Sequence, residues 1–72
     1  MNETKIAFTV DEAAAYTGIG RNTMRRLVEW GKIPTLKVGR KILIRREMLE
    51  NFVELNEGNN LRDKVSVKAV TR

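Results

Sequence analysis

Gly18-Ile19-Gly20-Arg21-Asn22-Thr23-Met24-Arg25-Arg26-Leu27-Val28-Glu29-Trp30-Gly31 opens with a tight glycine turn, continues as a short amphipathic helix and stops at another glycine. At about 100° per residue, Met24, Leu27, Val28 and Trp30 gather on one side of that helix. Asn22, Arg25, Arg26 and Glu29 gather on the opposite side, with Arg21 and Thr23 on the flanks. An apolar stripe must bury against something, so the arginine and asparagine face is pushed outward. Those side chains fit guanine and adenine edges and phosphate oxygens.

Upstream, Thr9 followed by Glu12 is a capping-box pattern, in which each side chain satisfies an orphan amide at a helix start. A first helix is predicted from about Val10 to Thr17, with Val10, Ala13, Ala14 and Thr17 on one face. Three successive alanines favour helix and let another backbone approach closely. Gly18 suits the left-handed position that ends this helix, Ile19 is the apolar peg of the turn, and Gly20 is the next N-cap. Two helices across a three-residue glycine turn make the helix-turn-helix arrangement. Ile6-Ala7-Phe8 reads as a short strand or a hydrophobic lead-in, and residues 1 to 5 as a frayed start.

Downstream, Pro34 keeps the second helix from resuming beyond Gly31. Thr35 to Ile44 reads as a hairpin. With Gly39-Arg40-Lys41 as a three-residue loop, Val38 faces Ile42 and Leu36 faces Ile44, all on one face, while Lys37 and Leu43 point the other way. Gly39-Arg40 as a two-residue loop is the alternative. Either way the tip is basic, and a hairpin following such a helix is a wing. A third helix is predicted from about Arg46 to Glu57, with Met48, Leu49, Phe52 and Val53 inward and the glutamates outward. Gly58-Asn59-Asn60 breaks the pattern. The fold class is α+β, a small winged helix-turn-helix of three short helices and a two-stranded wing hairpin. It occupies residues 6–57, and residues 58–72 form a flexible or partner-binding tail.

Charge distribution says more than the formal net of +5. From Gly20 to Arg46 there are nine basic residues (Arg21, Arg25, Arg26, Lys32, Lys37, Arg40, Lys41, Arg45, Arg46) and one acid, Glu29, a net of +8. Glu47 to Glu57 carries Glu47, Glu50, Glu54 and Glu57 with no base, a net of −4. A chain polarised this way suits a polyanion on one side and solvent or a protein on the other.

Other chemistry is poorly supplied. The 72 residues contain neither cysteine nor histidine, which removes disulfides, thiolate nucleophiles, the usual general base and the usual zinc ligands. A chain this small has no room for a deep pocket between domains. The longest unbroken apolar run is Ala13 to Tyr16, so no segment spans a bilayer, and the first residues lead into no signal region. A cytoplasmic location is expected. Gly18-Ile19-Gly20 lacks the third glycine and the preceding strand of a phosphate-cradling loop. Trp30 sits on the apolar stripe and reads as core rather than as a stacking platform, and Tyr16 reads as half-buried with its hydroxyl outward. The glutamates of the third helix lack the partners of a metal site or an acid–base pair. No cofactor and no enzymatic activity are expected.

DNA contact is expected from two places. On the second helix, Asn22 and Arg25 reach base edges, Arg26 reads a base or grips phosphate, and Arg21 and Thr23 hold backbone oxygens. At the wing tip, Arg40 beside Lys41 suits the negative potential of a narrow minor groove, and Lys37 adds charge along the hairpin. An Arg25–Glu29 pair, or one to a glutamate of the third helix, would compete with DNA.

Thr9-Val10-Asp11-Glu12-Ala13-Ala14, Gly18-Ile19, Arg21-Asn22-Thr23, Leu27-Val28, Gly31-Lys32-Ile33-Pro34 and Lys37-Val38-Gly39-Arg40 together resemble the excisionase-type helix-turn-helix family of small MerR-like winged-helix domains. The match covers about residues 8 to 55. Gly20 stands where the family usually has a serine cap, and Arg45 where a proline often opens the last helix. A chain of this size resembles the excisionases of conjugative transposons and prophages. The resemblance implies a recombination directionality factor that binds repeated sites in double-stranded DNA, with further copies of itself on adjacent sites. Such a factor bends the DNA and helps a tyrosine-recombinase integrase excise the element. It implies major-groove contacts from Arg21, Asn22, Thr23, Arg25 and Arg26 and wing contacts from Arg40 and Lys41. A transcriptional repressor with the same fold is the alternative, since the family also includes regulators.

Overall fold

The computed structural model describes residues 5–70. The expected fraying of the first five residues lies outside that range except at Lys5, as do the last two residues of the tail. In chain order the elements are β1 (Ala7–Phe8), α1 (Val10–Thr17), α2 (Arg21–Glu29), β2 (Leu36–Val38), β3 (Lys41–Arg45) and α3 (Arg46–Leu55). This is the α+β winged helix-turn-helix architecture that the hydrophobic pattern implies.

The boundaries of α1 and the end of α2 have local causes. Thr9 caps α1 as expected: the Glu12 N–H donates to Thr9 Oγ1 at 3.2 Å, and the Thr9 N–H donates to Glu12 Oε1 at 2.9 Å. Lys5 Nζ adds an ion pair to Glu12 Oε2 at 2.6 Å, so this one carboxylate serves both the cap and the chain entering β1. At the far end Gly18 adopts φ 81°, and its N–H closes on the Ala14 carbonyl at 2.9 Å. That left-handed stop requires a residue without a Cβ penalty. α2 ends in a Schellman arrangement, with Gly31 N–H on the Val28 carbonyl and Lys32 N–H on the Leu27 carbonyl, both at 3.0 Å. α3 has no side-chain cap at Arg45. Its first amide is satisfied from elsewhere, because the Arg46 N–H donates to the Ile6 carbonyl at 2.8 Å.

Ile6-Ala7-Phe8 contributes a strand rather than a lead-in. Ala7 pairs with Arg45 and Phe8 with Ile44, so the sheet is three-stranded and antiparallel, in the order β1-β3-β2. The wing closes in the shorter of its two candidate registers: Val38 faces Lys41, Lys37 faces Ile42 and Leu36 faces Leu43. The loop is Gly39-Arg40, and within it Gly39 alone has a positive φ, 62°, as the first position of a type II′ turn requires. This corrects the three-residue loop. A one-residue change of register moves side chains to the opposite face. Ile42 and Ile44 therefore share a face with Lys37, while Leu36, Val38 and Leu43 share the other. Ile44 is fully buried, whereas Leu36 and Val38 are exposed.

The core is built from Ala13 and Ala14 of α1, Met24 and Leu27 of α2, Ile33, Ile44 of β3, and Met48, Leu49 and Phe52 of α3. Val28 and Trp30 pack against it while partly exposed. Val53, expected inward, is 44% exposed. The inward position one turn further along the chain from Phe52 belongs instead to Asn56, which is 4% exposed. Its side chain is fully bonded: Nδ2 donates to the Phe52 and Lys68 carbonyls at 3.0 Å, and Oδ1 accepts from the Lys68 N–H at 2.8 Å and from Asn59 Nδ2 at 3.1 Å.

Asn56 thereby holds a segment that the sequence leaves as a tail. Val67 and Val70 are buried in the core, and Leu61 packs against it. The Val70 N–H donates to the Lys32 carbonyl at 2.9 Å. Residues 61–70 thus lie on the domain through spaced apolar side chains and turns, without forming a helix or strand. Among the described residues no helix is long and apolar enough to cross a membrane.

Candidate nucleic-acid interface

α2 is oriented by what it buries. Met24 and Leu27 are completely inaccessible to solvent, and α1 packs alongside. Fixing those two positions fixes the azimuth of the helix. Asn22, Arg25, Arg26 and Glu29, at helical spacing on the opposite side, are exposed. Thr23 is half-buried at the flank, as its place between the two faces dictates.

The ion pairs decide which cations are available. Arg21 NH1 lies 3.8 Å from Asp11 Oδ2, a loose contact between two exposed side chains at the junction of α1 and α2. An exposed pair of this kind holds its partners weakly. Arg45 donates to Glu47 Oε1 at 2.7 Å. Among the described residues no ion pair engages Arg25, Arg26, Lys37, Arg40 or Lys41. The Arg25–Glu29 pair that helical spacing allows does not form, nor does any bridge from α2 to the glutamates of α3. Arg25 and Arg26 therefore stand on the outer face of α2 without an ion-pair partner among the described residues, and Arg21 has only its loose contact to Asp11.

The hairpin presents the second group. Arg40 occupies the second position of the two-residue turn, and Lys41 is the first residue of β3; both are exposed. Lys37 is exposed near the end of β2. The domain measures 33 × 24 × 24 Å, and its longest dimension is comparable to one turn of B-form duplex, about 34 Å. Most of the anionic residues lie on another element: Glu47, Glu50, Glu54 and Glu57 are all exposed along α3 and the turn after it, while Glu29 shares the outer face of α2.

The sequence alone puts all eight proposed contact residues, Arg21, Asn22, Thr23, Arg25, Arg26, Lys37, Arg40 and Lys41, on α2 or the wing. It does not disclose the Asp11 partner of Arg21, because the bend at Gly18-Ile19-Gly20 sets how α1 and α2 meet. The available signal was an acid in the first turn of α1. Nor does it disclose the clamp at Asn56, whose only mark is a polar residue at an inward helical position.

Comparison with known proteins agrees with this geometry. The family described as a helix-turn-helix domain matches residues 7–56, from the first strand to the end of α3. No significant match was found to a curated protein or to a solved structure. The matched region contains both helices of the turn, the whole wing and the acidic third helix, and the chain belongs to the helix-turn-helix domain family, as a DNA-binding domain with a hairpin wing.

Proposed function

We propose that the chain is an excision factor. It sets α2 in the major groove of double-stranded DNA, places the wing tip against the minor groove, and bends the duplex at the ends of a mobile element. A tyrosine-recombinase integrase then assembles on the bent DNA. The observation that carries the reading is the outward row of Asn22, Arg25 and Arg26 on a helix whose opposite side is locked in the core. Asparagine and arginine are the side chains that pair bidentately with adenine and guanine in the major groove. The excision role itself is supported by the resemblance of the motifs between Thr9 and Arg40 to excisionase-type domains.

In this arrangement Asn22 and Arg25 read base edges, Arg26 reads a base or holds phosphate, and Arg21 and Thr23 position the helix on the backbone. Arg21 exchanges its loose Asp11 contact for a phosphate oxygen. Arg40 enters the minor groove with Lys37 and Lys41 on the flanking strands, where narrow A·T tracts concentrate negative potential.

Footprinting tests the reading. Protection inside the recombining ends of an element, together with integrase-dependent excision that requires the protein, is the expected result. Protection confined to a promoter would replace excision with transcriptional repression on the same fold. Absence of duplex binding at low salt would overturn both.

A further inference from the structure

α1 and α3 leave an open groove lined by Tyr16, Thr17, Leu49 and Val53 and by the carboxylates Glu50, Glu54 and Glu57. No basic residue lines it. Tyr16 and Val53 are 49% and 44% exposed, so apolar surface lies open to water beside these carboxylates. The Tyr16 hydroxyl donates to Glu50 Oε2 at 2.6 Å, fixing one edge of the groove in place.

The same chain carries a complementary shape. The turn at residues 62–65 projects Val65, which is 92% exposed and has Arg62 and Lys64 close by in sequence, both also exposed. Its geometry is set by Asp63, which accepts from the Val65 N–H at 3.1 Å and from the Ser66 hydroxyl at 2.9 Å. Asp63 is itself exposed but its carboxylate is engaged in these two bonds, and Arg62 and Lys64 outnumber it on the turn that carries the valine.

We propose that the groove of one copy receives the 62–65 turn of a second copy. Val65 covers Tyr16 and Val53, while Arg62 and Lys64 meet Glu50, Glu54 and Glu57. Charge complementarity selects this occupant: every charged residue lining the groove is acidic, and the turn joins an exposed apolar knob to cations outside α2 and the wing. The contact is heterologous, since one molecule gives its turn and the other its groove, so copies add head to tail. A single knob in a shallow groove is far smaller than a standard stable interface, so the contact is weak in free solution. It gains effect when copies are held side by side, where the effective concentration reaches roughly the millimolar range.

The experiment needs no DNA, so its outcome is independent of the excision reading. Amide spectra of the full chain are recorded by NMR from about 50 μM to about 1 mM, a range chosen to bracket a weak contact. Concentration-dependent shifts confined to residues 16, 49–57 and 62–65 are expected. V65D, at a fully accessible position, abolishes them, as do E54K/E57K and R62E/K64E separately. Mixing those two charge-reversed proteins restores them, because the reversed groove meets the reversed turn. Unchanging spectra of the wild type, shifts centred instead on exposed Leu36 and Val38 of the wing, or shifts that persist in V65D overturn the proposal.

Discussion

Tyr16 and Glu50, thirty-four positions apart, meet at 2.6 Å and join α1 to α3 on the side of the domain that carries its acids. The hydroxyl donates, and the neighbouring carboxylate opposes loss of its proton. Tyr16 is consequently held above the ordinary tyrosine range, first by this hydrogen bond and then by desolvation and the negative charge of Glu50. The folded chain binds that proton more tightly than the unfolded chain. The stability linked to it is present at neutral pH and fades as pH rises through the raised value. Tyr16 is the only tyrosine, so a spectrophotometric titration reports it directly. E50Q should move the tyrosinate transition down toward the ordinary value.

Glu12 has the opposite sign. The Lys5 ammonium, then the Thr9 amide, hold its carboxyl below the usual range. Its contribution is complete above the ordinary carboxylate value and disappears as pH falls through the lowered one. T9A removes the reciprocal half of the cap and should cost about 1 kcal/mol in urea unfolding at neutral pH. K5A should narrow the acid side of the stability profile by raising the Glu12 value, an effect that fades with added salt.

The two glycines around Ile19 should behave differently. A methyl group at either position would meet no atom within 4 Å, so crowding does not separate them. Gly18 sits at φ 81°, and G18A should cost about 1–2 kcal/mol through backbone strain alone. Gly20 has φ −59° at the start of α2, and G20S should gain a few tenths of a kcal/mol by supplying the missing side-chain cap. Thermal unfolding of both variants checks the contrast.

R25A should weaken specific duplex binding by about 1–3 kcal/mol and relax preference at one base pair, with no change in unfolding free energy. R40A should lower affinity and bending with less effect on sequence preference. Each phosphate deprived of its cation should flatten the log–log salt dependence by about 0.9. Binding titrations at several salt concentrations, paired with a bend assay, separate the two.

N56A should leave the Lys68 N–H and carbonyl without their partner, at a cost of about 1–3 kcal/mol. V67A should cost a similar amount through reduced burial and the cavity left behind. Disappearance of hydrogen-exchange protection at Val67 and Val70 in N56A would show that the clamp, rather than the helix end, had failed.

Local chemistry makes α1, the turn and α2 legible, because capping box, alanine run, glycine stop and amphipathic stripe all act within a few residues of one another. The outward face of α2 is legible for the same reason: burying Met24 and Leu27 leaves Arg25 on the exposed side. What resists is set at long range. β1 is two residues long and exists because β3 offers Ile44 and Arg45 as partners. The wing register hangs on whether Gly39 takes the first position of the turn, which local alternation leaves open. Val53, expected inward, is exposed, and the inward position goes to Asn56, which the returning chain bonds through Lys68. Nothing near Leu61, Val67 or Val70 in sequence announces a docking site for them.

The bond from Val70 to Lys32 has a mechanical meaning. The Lys32 N–H is also bonded to the Leu27 carbonyl in the last turn of α2, so residue 70 is tied to that helix through two backbone links that meet at Lys32.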